Sequence, residues 1–262
     1  MNNALLRQIS LILVPYDDLT DQIITEPVLT IYLDYLQREP IRKSEGFWIF
    51  TNLDDPVVRL KVTSDRYHTL NAVVDLTGLD PLYPVFLIRL KPGFSYARPP
   101  GSSLISGYVR DKKGTLIRQC PVTVQHSWEG GRVRLLEDTA VTGKSRLRLS
   151  APQFNNLLGR QFIIQDVKTR ILERMTIVSR HEDTDLFILD NPLSKHYPAD
   201  TLMYQLTELT TDGEGGFAFY IQTPKEAGGQ IKVTAKQGGK KAEYLFAPPA
   251  APALELPDLT LQ

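Results

Sequence analysis

The chain is poor in cysteine and histidine, has no long apolar run and no excess charge of either sign, and each scarcity removes a class of protein. Its single cysteine, Cys120, has no partner for an internal disulfide, so this is not a disulfide-stapled secreted scaffold. Cys120 sits between Gln119 and Pro121 at the start of an alternating run, a place that predicts core packing rather than a nucleophile beside a base. No stretch approaches the ~20 apolar residues that a membrane-spanning helix needs. Met1 to Ser10 lack the basic segment, apolar core and small-residue cleavage site of a secretory leader, and Leu11 to Val14 is too short to be that core. The expectation is a cytoplasmic chain, or one carried within an exported or cell-associated particle. Thirty basic residues balance thirty acidic ones, which predicts no global attraction to nucleic acid or to an anionic membrane. The local basic group Arg132, Arg134, Lys144, Arg146 and Arg148 alternates with apolar residues and reads as a solvated strand face.

The chemistry-bearing residues are equally sparse. His68, His126, His181 and His196 stand singly, with no H-E-x-x-H, H-x-H or C-x-x-C spacing. His181 with Asp183 and Asp185 comes nearest to a ligand cluster, but Glu182 to Asp185 reads as a solvated hairpin turn. Asp212-Gly213-Glu214-Gly215-Gly216 lacks the alternating donors and distant bidentate Glu of a calcium loop, and reads as a turn needing positive φ. There is no G-x-S-x-G elbow and no glycine-rich phosphate loop. Trp48 lies in an apolar strand run and predicts packing; Trp128, beside Glu129-Gly130-Gly131, predicts an exposed or junction position. The expectation is therefore no catalytic, cofactor or metal site, and no enzyme.

What the chain does have is strand grammar. Ile9 to Val14, Val28 to Tyr32, Phe47 to Phe50, Val57 to Val62 and Val85 to Leu90 are short runs rich in β-branched or aromatic residues. Asp17-Asp18, Asn52 to Pro56 and Gly78 to Pro81 separate them as turns. Such spacing predicts an all-β chain of sandwiches or small barrels. The one expected helix is short, Ala151 to Leu158, opened by Ser150 and with Pro152 just inside. Lys91 to Ser103, with Pro99-Pro100 and two glycines, reads as a linker. The stretch from Ala247 is proline-rich, yet Leu254, Leu256, Leu259 and Leu261 leave two outcomes open, a free tail or a docked edge strand.

An internal repeat organises these pieces. Aligning Pro27-Val28 with Pro121-Val122 sets Asp17 on Asp111, an offset of 94. Gly46-Phe47-Trp48-Ile49-Phe50 then aligns with Gly216-Phe217-Ala218-Phe219-Tyr220 at 170, and Lys61 with Lys232 at 171. The jump from 94 to 170 predicts about 76 inserted residues in the second copy. The insert has its own short strands, Arg146 to Leu149, Gln161 to Gln165, Arg174 to Val178 and Leu186 to Leu189, divided by Gly159, Asp166 to Thr169 and Asn191-Pro192. A small closed barrel suits them, with a core from Leu149, Phe162, Ile164, Ile177, Phe187, Leu189 and Leu202. The expected domains are a sandwich over 1–92, a linker over 93–103, a second sandwich from 104–127 with 208–249, a barrel-like insert over 128–207 and a tail over 250–262.

Asp111 to Val124, then Thr211-Asp212-Gly213 leading into Gly216-Phe217-Ala218-Phe219, resemble the carboxypeptidase regulatory-like, or transthyretin-like, sandwich. The first copy carries Ser44-Glu45-Gly46 in place of the Asp-Gly turn. That resemblance implies two Ig-like or transthyretin-like sandwiches that fold, space and bind without catalysing. The hydrolase branch of that fold needs a Tyr-Arg-Gly-Ser-type ending, and this chain ends Thr260-Leu261-Gln262. The whole plan, with Leu158 to Ile163 and Leu193 to Pro198 in the insert, resembles accessory proteins of phage-tail-like contractile injection systems. It implies a structural or adaptor role with other protein subunits as partners; the alternative is a carbohydrate-type binding module using loops at one end of a sandwich.

Overall fold

The computed structural model describes residues 8–26, 28–33, 40–127, 133–139, 145–150, 157–165, 172–181, 184–222 and 229–262. Among them the regular elements are twenty strands and one 3-10 turn, Leu76–Gly78, as the all-β expectation required. Pro27, Trp128 to Arg132, Lys144, the turn at 166–169, Glu182 and Asp183 lie outside the described residues, as does the expected helix through residue 156. The chain forms two units, Met1–Ala97 and Arg98–Gln262.

The first unit holds β1 (Ile9–Asp17), β2 (Thr30–Leu33), β3 (Ile41–Arg42), β4 (Trp48–Thr51), β5 (Val57–Thr63), β6 (Leu70–Asp75) and β7 (Val85–Leu90). They form one sheet in the order β3-β4-β1-β7 and another in the order β2-β5-β6. Only β1 and β7 run parallel. The period of two is plain in β5, where Val58, Leu60 and Val62 are buried while Arg59 and Lys61 face solvent. With Leu11, Leu13, Ile31, Val74, Ile88 and Leu90 they make one core between the sheets, which is a sandwich.

A buried polar knot closes one end of that core. Asp17 Oδ1 accepts from the backbone N–H groups of Leu19 (2.8 Å) and Thr20 (3.0 Å). Its Oδ2 accepts from the hydroxyls of Tyr67 (2.9 Å) and Tyr96. The two tyrosine rings meet edge to face at 5.5 Å, and the Gly93 N–H donates to the Arg66 carbonyl at 2.8 Å. The first residues of the proline-rich segment are therefore tied to the first sandwich rather than free.

The second unit holds β8 (Ser102–Arg110), β9 (Pro121–Ser127), β10 (Val133–Leu135), β11 (Arg146–Ser150), β12 (Gln161–Gln165), β13 (Leu172–Arg180) and β14 (Leu186–Leu189). It continues with β15 (Leu202–Thr210), β16 (Gly216–Gln222), β17 (Gln230–Gln237), β18 (Lys240–Phe246), β19 (Ala253–Glu255) and β20 (Leu259–Thr260). One sheet runs β15-β9-β17-β18; facing it, β8 pairs with β16 on one side and with β19 and β20 on the other. Val122, Val124, Phe217 and Phe219 share this core with Ile105, Val109, Ile231 and Val233. Between β9 and β15 the pairings run β10-β11-β14-β13-β12-β15 and return to β10, a closed ring of six antiparallel strands.

The ring has its own core, including Leu149, Phe162, Ile164, Ile177, Phe187 and Leu189. Met203 stands there instead of the expected Leu202: alternation counted back from Leu209, which faces the sandwich core, brings 203 to the inner face and turns 202 away. Tyr197 fills the interior; its hydroxyl donates to Glu173 Oε2 (2.8 Å) and its N–H to Thr139 Oγ1 (2.6 Å). Residues 203–206 of β15 pair with β12, and residues 205–210 pair with β9, so the expected boundary at 207/208 falls inside one strand.

The two units repeat one plan. In each, the first strand (β1, β8) pairs antiparallel with β4 or β16 and parallel with β7 or with β19 and β20. In each, the second strand (β2, β9) pairs with β5 or β17, which pairs in turn with β6 or β18. Register corrects the sequence alignment by one residue. Ile31 opposite Val62 matches Val124 opposite Val233, placing β2 and β9 at an offset of 93. The turn in which the Lys43 N–H donates to the Phe47 carbonyl (2.8 Å) matches Asp212 to Gly216 (2.8 Å), an offset of 169. The physical reason is alternation: aligning Pro27 with Pro121, or Gly46 with Gly216, would turn core side chains to solvent. Asp17 and Asp111 keep the offset of 94, and each carboxylate caps the backbone N–H groups that follow it. The difference between 93 and 169 is again 76.

The stretch beyond Ala247 settles between its two outcomes as a docked strand. Leu256, Leu259 and Leu261 are buried in the sandwich core, and Gln262 exchanges two backbone hydrogen bonds with Lys241 on β18 (3.2 and 3.3 Å).

The paired turns give a stability prediction. A Cβ on Gly46 (φ +88°) would stand 2.7 Å from the Ile24 carbonyl oxygen, and one on Gly215 (φ +76°) 3.0 Å from Leu116 Cβ. Gly114 has a similar φ of +82° but open space around it. Gly114→Ala is expected to cost only the ~1–2 kcal/mol of the left-handed conformation. Gly46→Ala and Gly215→Ala are expected to cost more, as read by urea denaturation.

Candidate functional site

Among the described residues, those singled out in the sequence do not converge. Among the described residues no group of three or more His, Cys, Asp and Glu is placed to hold a metal ion. His181 is exposed, and the Asp185 carboxylate is engaged by Arg148 through two hydrogen bonds of 2.9 and 2.7 Å. Arg146 and Arg148 lie on the solvent side of β11, opposite the buried Leu147 and Leu149, as a solvated strand face. Asp212 Oδ1 accepts from the N–H groups of Glu214 and Gly216 (2.8 Å each), so that carboxylate shapes its turn. Cys120 is fully buried, which raises its thiol pKa and leaves it an inert core group. Trp48 packs partly against the first core, with the Arg42 guanidinium 5.4 Å from its ring centre, and offers no open aromatic platform. No described helix is long and apolar enough to cross a membrane.

What the fold does assemble is an apolar surface on the first unit. Ile41 lies opposite Ile49, Ile49 opposite Ile12, and Ile12 opposite Val85. Directly opposed residues share a face, so the four side chains form one row across β3-β4-β1-β7. Leu11 and Leu13 point into the core, which sends Ile12 and its row to the outside of the sheet. Ile41 is 40% exposed and Val85 41%.

At the β7 end the row runs into a turn that displays two large side chains. Leu82 is 81% exposed and Tyr83 72%, the two most exposed large hydrophobics described. The turn is held in place: Asp80 Oδ1 accepts from the N–H of Leu82 (2.8 Å) and of Tyr83 (3.4 Å). The Val85 N–H donates to the Tyr83 carbonyl and the Ile12 N–H to the Pro84 carbonyl, both at 2.7 Å. Pro81 and Pro84 restrict φ on either side. An exposed aliphatic and an exposed aromatic side chain thus stand on a hydrogen-bonded turn at the start of β7, which contributes Val85 to the apolar row. Sequence reading passed over Leu82 and Tyr83 by placing the turn at Gly78 to Pro81; the available signal was two large apolar residues between prolines.

No family model matches the sequence, and no curated protein matches it. Among solved structures, the shaft pilin SpaA of Lactobacillus rhamnosus GG is 11% identical, with 97% of each chain covered and a TM-score of 0.26. The streptococcal ancillary pilin is 9% identical over 96% of this chain and 62% of its own, with a TM-score of 0.24. BcpA, the major pilin subunit of Bacillus cereus, is 8% identical over 96% of this chain and 98% of its own, with a TM-score of 0.23.

Two titrations follow from the polar contacts. Burial first, and then the Asp17 carboxylate, push the Tyr67 hydroxyl far above the usual phenol range. A raised folded-state pKa contributes stability that is complete below the unfolded value near 10 and is lost at higher pH. Stability is therefore expected to fall above about pH 10, and Tyr67→Phe to reduce that alkaline loss in pH-dependent denaturation curves. Glu243 is pulled the other way: partial burial opposes its ionisation, but Lys232 (2.7 Å) and Lys241 (2.6 Å) hold its pKa down to about 2. Its contribution is present above the ordinary 4.5 and lost as pH falls through about 2, so its carboxyl carbon should titrate near pH 2 by NMR.

Proposed function

We propose that this protein is a non-enzymatic structural or adaptor subunit that docks other protein subunits through the outer face of β3-β4-β1-β7 and the Leu82-Tyr83 turn. The observation that carries the reading is the display of Leu82 and Tyr83 on a turn held by Asp80 and two prolines. A side chain held ready loses little conformational freedom on binding, so its burial contributes to affinity with little offset. A phage-tail-like contractile particle is the finer reading, supported by the sequence resemblance of the tandem sandwich and its insert. In that reading residues 128–207 are a domain inserted into the second sandwich, and the repeat offset of 76 supports the insertion. Assembly in the cytoplasm before any export accords with it. The alternative is a carbohydrate-type binding module, for which Trp48 offers little open face because it packs partly against the core.

The test is incorporation into particles purified from the native host. Leu82→Asp combined with Tyr83→Asp is expected to leave folding stability within about 0.5 kcal/mol, because both side chains are exposed. The double variant should be excluded from high-mass complexes that contain the parent protein. Incorporation at the parental level would overturn the docking assignment.

A further inference from the structure

The two copies of the repeat differ in how their first strand is covered. In the first unit β7 runs parallel to β1 through six consecutive residue pairs, Ile12 with Val85 to Asp17 with Leu90. In the second unit the same edge is covered in two pieces: β19 pairs three residues with Leu104 to Ser106, and β20 pairs two with Val109 and Arg110. Pro257, which has no N–H to donate, stands between the pieces. The segment reaches β8 through Ala247-Pro248-Pro249-Ala250-Ala251-Pro252, which has no strand of its own.

The segment is nevertheless built to complete the fold. Leu256, Leu259 and Leu261 are buried against Ile105, Val109 and Phe217. The Leu256 N–H donates to the Ser106 carbonyl (2.8 Å), and the Leu261 N–H to the Arg110 carbonyl (2.9 Å). Arg110 Nε donates to Asp258 at 2.5 Å. Gly107 leaves the space: a Cβ there would stand 3.0 Å from the Phe217 ring and 3.4 Å from Leu256. Removing the strap would open both a strand edge and a groove lined by the same residues, a surface that accepts one extended leucine-bearing strand.

We propose that the β8 edge is an exchange site whose partner is residues 253–261 of a second copy of this chain. This deepens the assembly reading by naming one occupant of one surface. The strap makes the same contacts whether it comes from its own chain or from a neighbour, so the two states differ only in the linker and in association entropy. The strap is held by two short pairings and three buried leucines, so exchange requires the release of both. The hold on β8 begins at Ala251 and Pro252, whose carbonyls accept from Ser103 Oγ (2.8 Å) and the Leu104 N–H (3.0 Å). The connector is therefore Ala247 to Ala250, which extended reaches about 12 Å against the ~10 Å between packed sheets. Each copy offers one groove and one strap, a head-to-tail arrangement that closes into a swapped dimer or propagates.

The test uses two full-length single variants, Ser106→Cys and Glu255→Cys, which lie directly opposite one another in the β8–β19 pair. Buried Cys120 stays out of reach of both. Mixed at high concentration under mild oxidation, the two variants should yield a disulfide-linked heterodimer with the 106–255 linkage mapped by mass spectrometry. Adding Leu259→Asp to the Glu255→Cys copy should abolish it, since a charge cannot enter the groove. If the mixed variants give no such link while one chain carrying both Ser106→Cys and Glu255→Cys closes within itself, exchange does not occur. If the link survives Leu259→Asp, it arises from surface collision, and the proposal again fails. Either failure, with the Leu82 and Tyr83 variant still excluded from particles, would remove strap exchange and leave the docking assignment intact.

Discussion

Strand β15 is the element on which both cores of the second unit rest. Its first half closes the ring by pairing with β10 on one edge and β12 on the other. Its second half extends the sandwich sheet by pairing with β9. One face of the strand carries Met203 into the ring core and Leu209 into the sandwich core, six residues apart and therefore in phase. A one-residue slip would turn both out at once, so the register of the ring and that of the sandwich are coupled. The ring is thus not tethered by a loop alone; it shares a strand with the sandwich.

The duplicated plan shows what each copy does with the same constraint, that a strand edge needs a partner or a cover. The first copy covers β1 with a continuous strand, β7, and leaves the outer side of that sheet apolar from Ile41 to Val85. The second covers β8 with an interrupted strap and adds β15 beside β9. The first copy places its polar knot, Asp17 with Tyr67 and Tyr96, where β1 ends; the second places there the surface turn of Asp111.

Some of the candidate site was visible in residues and some was not. The expectation of no catalytic or metal site rested on residue types and spacings, of which the chain has few. The apolar row was hidden because its members come from four strands: Ile12, Ile41, Ile49 and Val85 look like ordinary strand residues until register sets them side by side. Leu82 and Tyr83 were obscured differently. In a turn, composition does not tell which side chains fold back and which project, and here the Asp80 carboxylate decides it.

The sequence by itself determined the all-β character, the repeated strand plan and most of the ring core. These follow from local alternation, turn residues and offsets, each of which is written along the chain. Tertiary structure decided the rest. It corrected the repeat alignment by one residue, because inside and outside are defined only once a sheet has a partner. It chose Met203 over Leu202 for the ring and put Leu256, Leu259 and Leu261 into the second core. It also joined the ring to the sandwich through β15. Pairing between distant strands is a non-local choice: many partners satisfy the backbone equally well, and only the shared burial of both faces selects one.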